Sequence, residues 1–260
     1  MLETLFSMKG KICVVTGGSR GLGSFMARGF LEAGAKRVYI TARKAEACLT
    51  SAEELSKYGE CIALPGDISS LEEIQILADS LSARESRIDV LVNNAGSSWG
   101  GALGEFPEKG WDRVMDLNVK SPFFLTQALL PLLKAAGTAD KTASVINIGS
   151  VAGIVGDSLM AYSYGPSKAA IHQLTRNLAK DLSDDNIRVN AIAPGRFFSK
   201  MTEYVSQDQA AYEAECALIP LHRWGGETDI AGVAIMLASQ AGAFITGQII
   251  PVDGGMTLAN

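Results

Sequence analysis

A chain of 260 residues, 47% hydrophobic but only 7% aromatic, has enough apolar material for one large α/β domain with an aliphatic core. Its net charge of −5, with no basic block, makes nucleic acid a poor partner, because phosphate contacts need clustered Lys and Arg. Four scattered cysteines (Cys13, Cys48, Cys61, Cys216) and two histidines (His172, His222) suit neither a disulfide framework, a metal site nor a Ser-His-Asp triad.

In chain order, residues 11–15 read as a short buried strand, followed at once by Thr16-Gly-Gly-Ser-Arg-Gly-Leu-Gly23 and a helix over 24–34. Strand patterns recur at 38–41, 61–64, 88–92, 144–148, 188–192 and 248–251, with helical patterns at 45–58, 71–83, 164–182 and 228–239. Residues 111–136 hold two helical runs, broken near Ser121-Pro122. About seven short strands alternating with helices predict a Rossmann-like, doubly wound parallel sheet with helices on both faces. No linker or composition shift divides the chain, so residues 1–260 are expected to form a single domain. Within it, 196–219 loses its pattern and reads as a mobile substrate lid. The first nine residues do not read as a leader, and no apolar run approaches the ~20 residues that cross a bilayer. A cytoplasmic protein without membrane contact is expected.

Gly17, Gly21 and Gly23 permit a tight turn, close approach of backbone to a pyrophosphate, and a helix N-terminus facing the anion. Ser19, Arg20 and Leu22 lie within the same loop and are assigned to the same contact. A ribose with a free 2′-hydroxyl is usually held by an acidic residue about 20 positions on, but here the second strand ends Thr41-Ala-Arg43. Arg20 and Arg43 suit a 2′-phosphate, for which the planar guanidinium fork is adapted. The cofactor expected is therefore NADP(H); the plainer alternative is that Arg43 caps a solvated helix.

Tyr164 and Lys168, at i and i+4, share one helical face, with Pro166 tolerated in the first turn. The cation favours the phenolate, so the pair suits proton exchange with a carbonyl or alcohol. Tyr162 lacks such a partner and reads as packing or pocket wall. His172 reads as an ordinary helix-face residue. Trp99, Phe197, Phe198 and Met201 fit either an apolar cleft or simple packing.

Over essentially its whole length the chain resembles the short-chain dehydrogenase/reductases. The matching motifs are Thr16-Gly-Gly-Ser-Arg-Gly-Leu-Gly23, Asp67-Ile68, Asn93-Asn-Ala-Gly96, Asn118 in Leu-Asn-Val, Ser150 in Ile-Gly-Ser-Val, Tyr164-x-x-x-Lys168 and Pro194-Gly195. The resemblance implies that Asp67 and Ile68 flank the adenine, and that Asn94 meets the adenosine-side ribose or nearby backbone. It places the Pro194-Gly195 turn against the nicotinamide amide, with Lys168 also on the nicotinamide ribose. Ser150, Tyr164 and Lys168 resemble the catalytic triad, and Asn118 the residue that holds a water in a proton relay. Ser199 stands where the family often has Thr.

Within the family the chain is most similar to bacterial 3-oxoacyl reductases of the rhamnolipid-biosynthesis branch. The function implied is NADP(H)-dependent reduction of a ketone to a secondary alcohol, with a 3-oxoacyl thioester as substrate. A sugar, polyol or steroid alcohol dehydrogenase is the enzymatic alternative, and an NADP-sensing protein without catalysis the non-enzymatic one. Reductases that serve the acidic acyl carrier protein resemble one another in presenting basic residues at the ends of two long helices. Here those ends read Lys134-Ala-Ala-Gly137 and Ser183-Asp184-Asp185, and a like-charged rim weakens docking. A CoA ester or another medium-sized ketone is therefore the expected substrate. Family resemblance also implies a homotetramer, or a homodimer, paired through the same two helices.

Overall fold

The structure is a computed structural model that describes residues 2–156, 160–198, 202, 205 and 207–258. Its strands are β1 (Ile12–Thr16), β2 (Arg37–Thr41), β3 (Cys61–Ala63), β4 (Val90–Asn93), β5 (Ala143–Ile148), β6 (Ile187–Pro194) and β7 (Ile249–Val252). They form one sheet in the order β3-β2-β1-β4-β5-β6-β7, and every neighbouring pair is parallel. The chain winds outward from β1 to β3, then crosses back to lay β4 on the other side of β1. Loops leaving β1 and β4 diverge at that reversal and open a crevice at the strands' carboxyl ends.

Strands β1, β2, β4, β5 and β6 are buried because helices cover both faces, and alternate residues serve opposite layers; the edge strands β3 and β7 are only partly buried. Cys13, Val15, Val90, Val92 and Ile146 pack with helices α2 (Gly21–Glu32), α3 (Ala45–Leu55) and α10 (Glu227–Ala238). Val14, Leu91, Val145 and Val189 pack on the other side, where α4 (Leu71–Ser82), α6 (Ser121–Ala128), α7 (Leu130–Ala136) and α8 (Tyr164–Asp181) lie. Among the described residues, the remaining α-helices are α1 (Leu2–Leu5), α5 (Glu108–Met115) and α9 (Gln209–Ala217). No helix among the described residues is long and apolar enough to cross a membrane.

Three expectations about local structure need correction. The helix after the glycine loop begins at Gly21, whose φ of +53° starts the turn directly after Arg20. Strand β4 begins at Val90, because the Ile88 N–H leaves the ladder and donates to the Leu132 carbonyl (3.0 Å). Finally, Ser121-Pro122 does not break the helical run. The turn before it widens into a π-helix over Asp116–Lys120, and Pro122, lacking an N–H, is accommodated in the first turn of α6. The break falls at Leu129, just before Pro131.

The described part of 196–219 is partly helical. It contains α9, whose first amides (Ala210, Ala211) donate to the Asp208 carboxylate at 3.0 and 3.2 Å. Arg196 Nε lies 3.0 Å from Glu215 on that helix. Phe198, Tyr212 and Trp224 form an aromatic cluster with centroids 5.1–5.8 Å apart.

Candidate active site

The crevice is built first by stitching the loops after β1 and β4 together. Thr16 Oγ1 donates to the Val92 carbonyl (3.3 Å) and accepts from the amides of Asn94 (2.9 Å) and Ala95 (3.0 Å). Asn94 Nδ2 returns the contact, donating to the carbonyls of Thr16 (2.7 Å) and Gly17 (3.2 Å). Asn94 thereby ties the loop after β4 to the backbone of the glycine loop. Gly17 has φ +64°, a left-handed conformation that glycine adopts without strain, and a Cβ there would lie 2.9 Å from Asn94 Nδ2. A Cβ on Gly23 would lie 2.4 Å from the Gly17 carbonyl oxygen. Gly23 thus supports the loop from behind and does not line the cleft.

The cleft has a volume of about 1210 Å³ and runs from the glycine loop to the start of α8. The predicted Gly17, Ser19, Arg20, Gly21, Leu22, Arg43, Asp67, Ile68, Asn94, Pro194 and Gly195 all line it, as do Ser150, Tyr164 and Lys168. Helix α2 has no side-chain cap and no acid in its first turn, which suits its N-terminal amides to an anion. Arg20, Arg43 and Lys44 lie at this end, with Asp67 3.9 Å from the Arg43 guanidinium. Lys44 was not singled out by sequence, because a lysine before a helix has no distinctive pattern. An uncapped helix start, a backbone cradle and three cations fit a dinucleotide carrying an extra phosphate.

At the other end the side chains come from four separate segments. A buried amide chain ties the supporting elements together: Asn93 Nδ2 donates to Asn147 Oδ1 (2.8 Å), and Asn147 Nδ2 to Thr175 Oγ1 (2.9 Å). Lys168 on α8 is 5% exposed, with Nζ donating to the Ile148 carbonyl (2.8 Å) and lying 5.5 Å from the Tyr164 ring centre. Burial pushes its pKa down to about 8. Asn118 sits in the π-helical turn, behind the cleft wall. Its Nδ2 donates to the Ser97 carbonyl (2.9 Å) and to Ser167 Oγ (3.0 Å), and its Oδ1 accepts from the Ser97 amide (2.9 Å). Gly96 lies close to both Asn118 and Lys168: a Cβ there would be 3.3 Å from Asn118 Oδ1 and 3.7 Å from Lys168 Nζ. Ser150 follows β5 and is nearly buried; its Oγ accepts from the Ala152 amide (3.2 Å) and caps a short 3₁₀ turn, Val151–Gly153. With its oxygen engaged as acceptor, the hydroxyl proton remains to donate.

Sequence patterning separated the aromatics poorly. Phe197 is buried and lines the cleft, its ring seated on Gly225. Trp99 packs instead on α5, face to Gly110, with the Arg113 guanidinium 5.8 Å from its ring centre. Phe198 belongs to the aromatic cluster on α9. Tyr162 is pocket wall, edge-on to Phe106. Ser199 and Met201 lie outside the described residues. The cleft also takes Ile154, Val155, Met160 and Met256, which sequence reasoning missed. Met256 is carried in from the far end of the chain after β7, which no local pattern can show. His172 departs from its reading as an ordinary helix-face residue: it is 4% exposed and faces the Ser150 loop.

The sequence pattern of a family described as Enoyl-(Acyl carrier protein) reductase matches residues 17–257. The chain belongs to the short-chain dehydrogenase/reductase family. It is 54% identical to the "Rhamnolipids biosynthesis 3-oxoacyl-[acyl-carrier-protein] reductase" of Pseudomonas aeruginosa, over 99% of this chain and 100% of that protein. It superposes on the solved "Pseudomonas aeruginosa RhlG/NADP active-site complex" with a TM-score of 0.95 and 54% identity, covering 97% of this chain and 98% of that one. The "2-dehydro-3-deoxy-D-gluconate 5-dehydrogenase" of Escherichia coli is 36% identical over 98% of both chains. Membership of this oxidoreductase family accounts for the joint presence of a dinucleotide cradle and a Ser, Tyr and Lys set at one cleft.

Proposed function

We propose that the chain reduces a ketone to a secondary alcohol with NADPH, and that the ketone is a 3-oxoacyl thioester. The observation that carries this reading is one continuous cleft: phosphate-binding features at one end, Ser150, Tyr164 and Lys168 at the other, and apolar Ile154, Val155, Met160, Phe197 and Met256 beside them. NADPH supplies the hydride when bound. The glycine loop and the α2 N-terminus hold its pyrophosphate, Arg20 and Arg43 its 2′-phosphate, and Asp67 and Ile68 its adenine. Pro194 and Gly195 face its nicotinamide.

Tyr164 gives its proton to the substrate oxygen as negative charge develops there. The Ser150 hydroxyl donates to the same oxygen, as an oxyanion donor does. Lys168 fixes the nicotinamide ribose and keeps a positive charge near the phenol, and Asn118 orders the relay that returns a proton to Tyr164. The segment 196–219 acts as the substrate lid of a single domain, working in the cytoplasm as a homotetramer.

An apolar lining suits an acyl chain better than a polyol, so sugar dehydrogenation, the activity named for the Escherichia coli relative, ranks second. As to the carrier, Lys134 Nζ is paired with Asp185 at 2.9 Å. Of the two basic side chains in those last turns, Lys134 and Lys180, the first is thus neutralised, and Asp184 and Asp185 follow shortly after α8, which favours a CoA ester over an acidic carrier protein. The relative's name makes the carrier thioester the necessary comparison. Steady-state assays of 3-oxoacyl-CoA, 3-oxoacyl carrier protein and keto-sugars, each with NADPH and NADH, test the proposal. Greatest kcat/KM is expected for 3-oxoacyl-CoA with NADPH. Preference for the carrier thioester removes the CoA assignment, and preference for a keto-sugar removes the thioester.

A further inference from the structure

Helix α8 presses one more side chain against the loop that carries Ser150, and the proton scheme above leaves it unused. His172, one turn beyond Lys168, is 4% exposed, and its Nε2 is buried without a hydrogen-bond partner. A methyl group on Gly149 would lie 2.1 Å from Nε2 and 2.7 Å from Cδ2, so the ring sits flush against the Gly149 backbone. The Gly149 amide is held from β6, donating to the Ile192 carbonyl at 2.8 Å. Gly149 is thus clamped between β6 and the imidazole, one residue before Ser150. The other end of the same loop also rests on α8: a Cβ on Gly153 would meet the Lys168 carbonyl carbon at 2.6 Å. Burial, and then the cations Lys168 and Arg176, push the imidazole down to about 4, outweighing the Gly153 backbone, which favours a proton on the ring. A neutral planar ring fits this slot, where a branched aliphatic side chain would lift the loop. Leaving a buried nitrogen unpaired is a cost that native structures seldom accept without a reason.

We propose that His172 is a positioning residue for Ser150: its ring, wedged beneath Gly149, sets the height from which the Ser150 hydroxyl reaches the substrate oxygen. This inference rests on the ketone-reductase reading. Donor placement is demanding, because an oxyanion donor acts only within about 2.7–3.1 Å of the developing charge.

The test is a double-mutant cycle read on kcat for NADPH-dependent ketone reduction, with NADPH affinity and thermal melts as controls. Gly149→Ala is expected to lower kcat about 100-fold, with NADPH affinity held within about 3-fold, since small misplacements of a reacting group cost this much. His172→Ala alone is expected to lower it about 10-fold, by loosening the loop. In the double variant the truncated side chain makes room for the methyl group, and kcat returns to the level of His172→Ala. Losses that multiply overturn the inference. If Gly149→Ala does not fold, His172→Ala decides alone: a folded variant with wild-type kcat overturns it. A wild-type chain that turns over no ketone overturns the reductase reading and this inference together, whereas multiplying losses in an active enzyme overturn the inference only.

Discussion

Lys168 is the one functional side chain whose presence should destabilise the cofactor-free protein. Its ammonium is buried, with the Ile148 carbonyl as its hydrogen-bond acceptor. Burial lowers its pKa from 10.5 to about 8. That fall corresponds to a penalty of about 3 kcal/mol on the protonated folded state. Because the folded value lies below the unfolded one, the unfolded chain binds the proton more tightly between about pH 8 and 10.5. Stability from this group therefore rises with pH across that window and carries the full penalty below it. Lys168→Met keeps the length and removes the charge. Allowing about 1–2 kcal/mol for the buried carbonyl left without its lysine, the variant should be more stable than wild type by about 1–2 kcal/mol at pH 7. The melting temperature should rise by roughly 2–6 °C, while ketone reduction is lost. Thermal and urea unfolding of cofactor-free protein at pH 7 and pH 10 measure this, and the advantage should shrink at pH 10. A variant less stable than wild type at pH 7, or an advantage unchanged at pH 10, would refute the reasoning.

Arg43→Ala removes a half-exposed cation from the adenine end and should weaken NADPH binding about 10-fold while leaving NADH nearly unchanged; equal losses in fluorescence titrations would contradict a 2′-phosphate contact. Gly23→Ala places a methyl group 2.4 Å from the Gly17 oxygen and 2.5 Å from Asn94 Nδ2. It should cost about 1–3 kcal/mol of stability and spoil the phosphate cradle, so wild-type NADPH affinity in this variant would count against the loop's role. Tyr164→Phe should lower kcat by at least about 100-fold with cofactor affinity held within a few-fold, and stopped-flow traces showing undiminished NADPH oxidation would remove Tyr164 as the proton donor.

Local sequence was sufficient wherever one short stretch carries both the geometry and the chemistry. The strand, glycine loop and helix from Ile12 to Glu32 were legible because tight turns need glycine and a helix start presents free amides. Tyr164 and Lys168 were legible because helical periodicity alone puts i and i+4 on one face. Strand alternation with helices also sufficed for the parallel sheet, since the strands inside it, β1, β2, β4, β5 and β6, are buried on both sides.

Contacts across the chain were decided only by the tertiary structure. That Gly96 lies close to both Asn118 and Lys168, and that Asn118 is held by Ser97 and Ser167, depends on where the crossover returns α8 beside the π-helical turn. The π-turn itself is a compromise between Pro122 and helix continuity that propensity cannot foresee. Phe197 and Trp99 look alike as loop aromatics, yet one lines the cleft and the other is sealed on Gly110. His172 looks like an ordinary helix-face residue; only the return of β5 and its glycine-flanked loop onto α8 places it against Gly149, next to Ser150. Periodicity determines which face of an element is buried, and packing between distant segments determines what that face touches.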